Sequence, residues 1–172
     1  MKKTNIALIA GLFLFAACSN NTNTQDSEPM TEAVETPTAE TTVTPAADES
    51  IITLHAGDDM KFDLSQIKVK EGQTVKITLN HTGTQPKTAM GHNFVLLAAG
   101  ASMSDFTSKA IQAQDNDYIP ADMAGSIIAH TKLLGGGESD TIEFTAPAKG
   151  KYTFLCSFPG HSALMRGTFI VE

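Results

Sequence analysis

The feature that most limits how this chain can fold is a recurrence of short alternating apolar runs, separated by turn residues, over residues 51–172. Val75, Ile77 and Leu79 alternate with Lys76 and Thr78, the period of a strand buried on one face. Runs of this kind predict strands over 51–55, 66–70, 74–80, 92–98, 126–130, 140–145, 151–156 and 167–171. Glu71-Gly72, Gly135-Gly136-Gly137 and Lys149-Gly150 supply the breaks. About eight short strands punctuated in this way describe an all-β sandwich or barrel. One stretch, 102–119, lacks alternation, and Ser104 is placed to cap a short helix over 105–114. Residues 51–172 suffice for one domain that buries about two thirds of its surface. Their 12 acids and 10 Lys/Arg nearly balance and leave no basic patch, which argues against nucleic acid as a partner.

The chemistry-bearing residues concentrate near the C-terminus, in the run Tyr152-Thr153-Phe154-Leu155-Cys156-Ser157-Phe158-Pro159-Gly160-His161-Ser162-Ala163-Leu164-Met165. Cys156, His161 and Met165 are spaced C-x4-H-x3-M, and Pro159-Gly160 marks a turn between two strand-like runs. A thiol therefore sits at a strand end, with an imidazole and a thioether on the loop beside it. Taken singly, a Cys in a strand is a small buried hydrophobe and a Met is core filler. Zinc competes as the metal, but zinc sites seldom use Met. Taken together, thiolate, thioether and imidazole point to copper, whose blue electron-transfer set is two His and one Cys in a plane with a weak axial Met. His92, in Met90-Gly91-His92-Asn93-Phe94, is the candidate second histidine, and Gly91 allows close approach of its backbone.

Three segments carry a resemblance to a known family. Met90-Gly91-His92-Asn93-Phe94-Val95-Leu96, Ile128-Ala129-His130-Thr131-Lys132-Leu133-Leu134-Gly135 and Cys156 to Thr168 resemble the azurins, the bacterial cupredoxins, in order and spacing. The likeness covers residues 51–172 and implies a cupredoxin-like Greek-key β-sandwich with one short helical flap. It implies one type 1 copper ion with His92, Cys156 and His161 in the plane, Met165 as weak axial ligand and the Gly91 carbonyl as a second axial contact. It also implies that Asn93 ties the two ligand loops together beside the thiolate and that Phe158 packs over the site. An ordinary turn residue and plain core are the competing readings of those two.

His81 matches a buried histidine of the family and His130 a surface one; His55 has no matching role. Met60, Met103 and Met123 are scattered and read as core. The family's disulfide is missing, because Cys156 is the only cysteine of the domain and Gly72-Gln73 stands where a partner would lie. Phe94 replaces the family's buried Trp. Ala89, Met90, Pro159, Gly160, Ala163 and Leu164 would ring His161 as an apolar rim suited to brief docking of redox proteins, with Gln85 making it more polar. The implied function is a periplasm-facing electron carrier and not an enzyme. A copper-capture or copper-delivery lipoprotein is the alternative.

The N-terminal third reads differently. Met1-Lys2-Lys3 is a basic start, and the apolar run over 6–17 is short for a membrane span, as in a signal peptide over 1–17. Phe15-Ala16-Ala17-Cys18 resembles a bacterial lipoprotein cleavage box, with Cys18 as the lipidated residue and a membrane anchor as the consequence. An ordinary signal peptide with an incidental Cys is the competing reading. Residues 19–50 carry seven acids, no Lys or Arg and almost no large apolar residue. Such a segment cannot bury enough surface to fold and is expected to be a tether, with a coil reach on the order of 30 Å.

Overall fold

A computed structural model describes residues 48–172. The signal segment, Cys18 and the expected tether up to residue 47 lie outside the described residues. Eight strands form two sheets: β1 (Glu49–Ala56), β2 (Gln66–Val69), β3 (Thr74–His81), β4 (Val95–Leu97), β5 (Ile127–His130), β6 (Ser139–Thr145), β7 (Gly150–Leu155) and β8 (Arg166–Val171). One sheet runs β1-β3-β6 and the other β2-β8-β7-β4-β5. The β1–β3 and β2–β8 pairs are parallel, and the rest are antiparallel. Among the described residues no helix is long and apolar enough to cross a membrane.

The sandwich follows from alternation. Along β3 every second residue is buried, with Val75, Ile77 and Leu79 inside. Its outward residues pair across the sheet: Thr78 and Thr141 hydroxyls lie 2.8 Å apart, and Lys76 reaches both Glu49 (3.3 Å) and Glu143 (3.4 Å). Glu49 also pairs with Thr74 in the ladder, so the first strand begins two residues before the expected 51. The inward faces of both sheets enclose a core that includes Leu54, Ile77, Leu79, Phe94, Phe154 and Phe169.

Two expectations are corrected. The strand over 92–98 shrinks to β4, because Phe94 donates its N–H to the Thr131 hydroxyl (2.9 Å) instead of continuing the ladder. All three residues of β4 are buried, since a second core of Val95, Leu97, Phe106, Ala110, Tyr118, Ile119, Leu133 and Leu155 covers its outer face. That cover is the flap. Its helix is α2 (Met103–Ala110), preceded by the single turn α1 (Lys87–Met90) in the loop after β3. Ser102, not Ser104, caps α2 by accepting from the Asp105 N–H (3.2 Å), the first contact of an S-x-x-D cap. The helix stops before residue 114 because its buried stripe, Phe106 and Ala110, runs out at the exposed Gln114.

β1 and β3 run the same way, from Glu49 and Thr74 at one pole to Ala56 and His81 at the other. The loops beyond that second pole carry His92, Cys156 and His161.

Candidate metal centre

Two loops bring the donors together. Cys156 follows β7 directly and is fully buried. Its N–H donates to the Met165 carbonyl (3.0 Å), and Met165 N–H donates to the His161 carbonyl (2.8 Å), so the turn folds these three residues against one another. Gly160 opens that turn at φ 83°, a conformation that glycine adopts without a Cβ clash. His92 is pinned on the other loop by a reciprocal bridge to Leu134, at 3.0 and 2.8 Å.

The donor atoms of His92, Cys156 and His161 all lie within 4.8 Å of one another, and all three residues are buried. The Cys156 sulfur is 3.7 Å from His161 Nδ1 and 3.8 Å from the Gly91 carbonyl oxygen. His92 Nε2 donates to the Gly57 carbonyl (2.8 Å), which fixes the tautomer and leaves Nδ1 with its lone pair free. Among the described residues His92 Nδ1 is buried with no hydrogen-bond partner. An orphaned buried nitrogen is costly unless something else occupies it.

Electrostatics agree with a metal-ready cluster. Burial holds His161 down at about 4, with repulsion from His92 and His81 adding to it. Burial likewise lowers His92, partly offset by the Gly57 carbonyl. Both rings are therefore neutral at pH 7, the form that ligates. Burial pushes the Cys156 thiol up to about 11, against the backbone N–H groups of Asn93 and Phe158, which lower it. Nothing nearby compensates a bare thiolate fully, whereas a metal cation does. Neutral imidazoles and a soft, dry sulfur fit copper.

The surrounding residues fall into place unevenly. Asn93 is fully buried; its Oδ1 accepts from Ser157 N–H (2.8 Å), and its Nδ2 donates to the Ser157 hydroxyl (2.8 Å) and the Asp117 carbonyl (3.1 Å). Phe158 lies half-buried with its ring 4.5 Å from the His161 ring. Met165 is fully buried, and its backbone bonds to Cys156 and His161. His81 stacks on His92 at 4.4 Å, donates from Nε2 to the Met90 carbonyl (2.8 Å) and accepts at Nδ1 from Gly83 N–H (3.1 Å). His55 lies apart, paired with Asp63, and His130 is exposed.

Sequence reasoning missed Gly57, Ser157 and Asp117. Ser157 had a signal, its place beside Cys156. Gly57 acts through its carbonyl, and Asp117 through its carbonyl and carboxylate on partners distant in sequence, so neither had one.

A β-sandwich that gathers a buried His–Cys–His cluster on loops at one pole defines a metal protein of the cupredoxin class. Residues 49–172 match the family described as copper binding proteins, plastocyanin/azurin family, and the chain belongs to that family, with copper as its metal. Azurin of Pseudomonas fluorescens biotype C is 40% identical over 128 residues, 72% of this chain and 99% of that protein. Outer membrane protein H.8 of Neisseria meningitidis serogroup B is 45% identical over 118 residues, 67% of this chain. The match spans 63% of that relative's length. Auracyanin A, a "blue" copper protein of Chloroflexus aurantiacus, superposes with TM-score 0.64 at 33% identity, covering 72% of this chain and 99% of its own.

Proposed function

We propose that the protein carries single electrons between redox proteins, with one copper ion held by His92, Cys156 and His161 in a plane and by Met165 and the Gly91 carbonyl weakly along the axis. The carrying observation is the orphaned, buried His92 Nδ1 within 4.8 Å of a dry sulfur and a second neutral imidazole. Bound copper supplies a one-electron Cu(I)/Cu(II) couple. The protein's part is rigidity. Gly57 fixes the His92 ring, and Asn93 clips the His92 loop to the Cys156 loop. Ligands held this firmly move little when the charge changes, which keeps the cost of electron transfer low. Loading requires the Cys156 thiol to give up its proton, so metal uptake releases a proton.

The donor set is closed, with no position left for a substrate, which favours a carrier over an enzyme. His161 is 4% exposed, against 0% for His92, Cys156 and Met165, and the rim expected around it is Ala89, Met90, Pro159, Gly160, Ala163 and Leu164. Leu164 is 61% exposed, large for an apolar side chain. This rim is the proposed docking face for donors and acceptors. The lipoprotein-like box at Cys18 and the relative named as an outer membrane protein support an exported, lipid-anchored carrier facing the periplasm.

The test is a Cu(II) titration of the full chain followed by visible absorption and electron paramagnetic resonance, alongside Cys156→Ser. An intense blue thiolate-to-copper band at one equivalent, with narrow copper hyperfine splitting and absent in the variant, is expected. Colourless or multi-equivalent binding would overturn electron carriage and favour copper capture or delivery.

A further inference from the structure

Two consecutive non-glycine residues of the flap, Asp117 (φ 51°) and Tyr118 (φ 60°), are left-handed. Outside glycine and the short polar residues that conformation is disfavoured, and a bulky Tyr adopts it only where surrounding contacts impose it. The contacts of this pair are unusual in their destinations. The Asp117 carboxylate accepts from the Leu133 N–H (3.2 Å), and the next residue, Leu134, holds His92 through the reciprocal bridge. The Asp117 carbonyl accepts from Asn93 Nδ2 (3.1 Å), and Asn93 holds Ser157 beside Cys156. The Tyr118 ring packs edge-on against Phe158 at 5.2 Å, and Phe158 lies on the His161 ring. One dipeptide thus reaches all three donors, through two intermediate residues to His92 and to Cys156 and through one to His161.

We infer that Asp117-Tyr118 is the positioning element of the metal centre: its left-handed turn locks the flap onto the loops that carry His92, Cys156 and His161 and holds their spacing before metal arrives. Neither residue touches the metal position. Their influence passes through Leu133-Leu134, Asn93-Ser157 and Phe158. The flap is then more than a cover for the outer face of β4. This inference rests on the copper reading above, but its first readout does not need copper.

Asp117→Gly removes the carboxylate and leaves a residue that takes the left-handed conformation freely, so the fold is retained. Asp117→Asn keeps both an acceptor oxygen and tolerance of that conformation. In the copper-free full-length protein, amide hydrogen exchange at His92 and Leu134 is expected to rise about tenfold in Asp117→Gly and to return to normal in Asp117→Asn. In the Cu(II) form, the hyperfine splitting and band shape are expected to change in Asp117→Gly and to be restored in Asp117→Asn. Unchanged exchange overturns the inference, as does a change that Asp117→Asn fails to rescue, or altered exchange with an unaltered spectrum. A wild-type protein without a blue band sinks the copper reading instead, and exchange at His92 and Leu134 alone then decides the clamp.

Discussion

Replacing Asn93 by Leu tests how much the clip between the two ligand loops contributes. The two side chains share a branched shape of four heavy atoms and Leu is the bulkier, so the change removes hydrogen bonds without opening a cavity. Three are lost: those from Ser157 N–H (2.8 Å), to the Ser157 hydroxyl (2.8 Å) and to the Asp117 carbonyl (3.1 Å). Each contributes about 1 kcal/mol net, and a buried group left unpaired costs about 1–3 kcal/mol more. Ser157 N–H is the group most exposed to that second penalty, because Ser157 is 3% accessible and its hydroxyl can turn elsewhere. The expected loss is about 4 kcal/mol. For a domain of this size that lowers the melting temperature by roughly 10–20 °C. The assay is thermal and urea unfolding of the copper-free protein, so that metal affinity does not enter. A loss under about 1 kcal/mol with an unchanged urea slope would refute the reasoning, because it would show that water replaces Asn93 at no cost.

Two more outcomes follow from the same geometry. The folded copper-free state keeps His161 neutral down to about 4 and holds His92 below its ordinary 6.5, while the unfolded chain takes up protons near 6.5. Stability is therefore full above pH ~7 and falls between about 6.5 and 4, by about 3 kcal/mol for His161 alone. Asp58 and Asp63 lose their contribution only at lower pH, below their ordinary 3.8. Urea midpoints measured from pH 7.5 to 4.5 check this, and a flat profile contradicts neutral burial. Gly91→Ala puts a Cβ 2.5 Å from the Lys87 carbonyl oxygen and 2.9 Å from Leu133 Cγ, so it should cost about 1–3 kcal/mol in thermal unfolding; no loss means that the loop gives way freely.

The legible parts of the molecule were those written in local pattern. The alternation of 74–80 and 140–145 reproduces β3 and β6 to within one residue, because each buries one face and exposes the other. β4 was harder to bound: with both faces covered it has no alternation, and only the flap explains why. C-x4-H-x3-M was readable because one turn holds all three residues. The stacking of His81 on His92 and the reach of Gly57 to His92 were not readable, since partners 11 and 35 residues away meet only once the strands have paired. Asp117 and Tyr118 gave no signal at all. A left-handed turn is announced by glycine, and here it falls on an Asp, which tolerates it, and on a Tyr, on which tertiary contacts impose it.

The direction of β1 has a geometric consequence. It enters at Glu49 and runs eight residues to Ala56, next to the Gly57 carbonyl that steadies His92. At about 3.3 Å per residue the strand spans roughly 25 Å. The end by which the chain enters the described domain therefore lies a strand's length away from the pole that carries His92, Cys156 and His161.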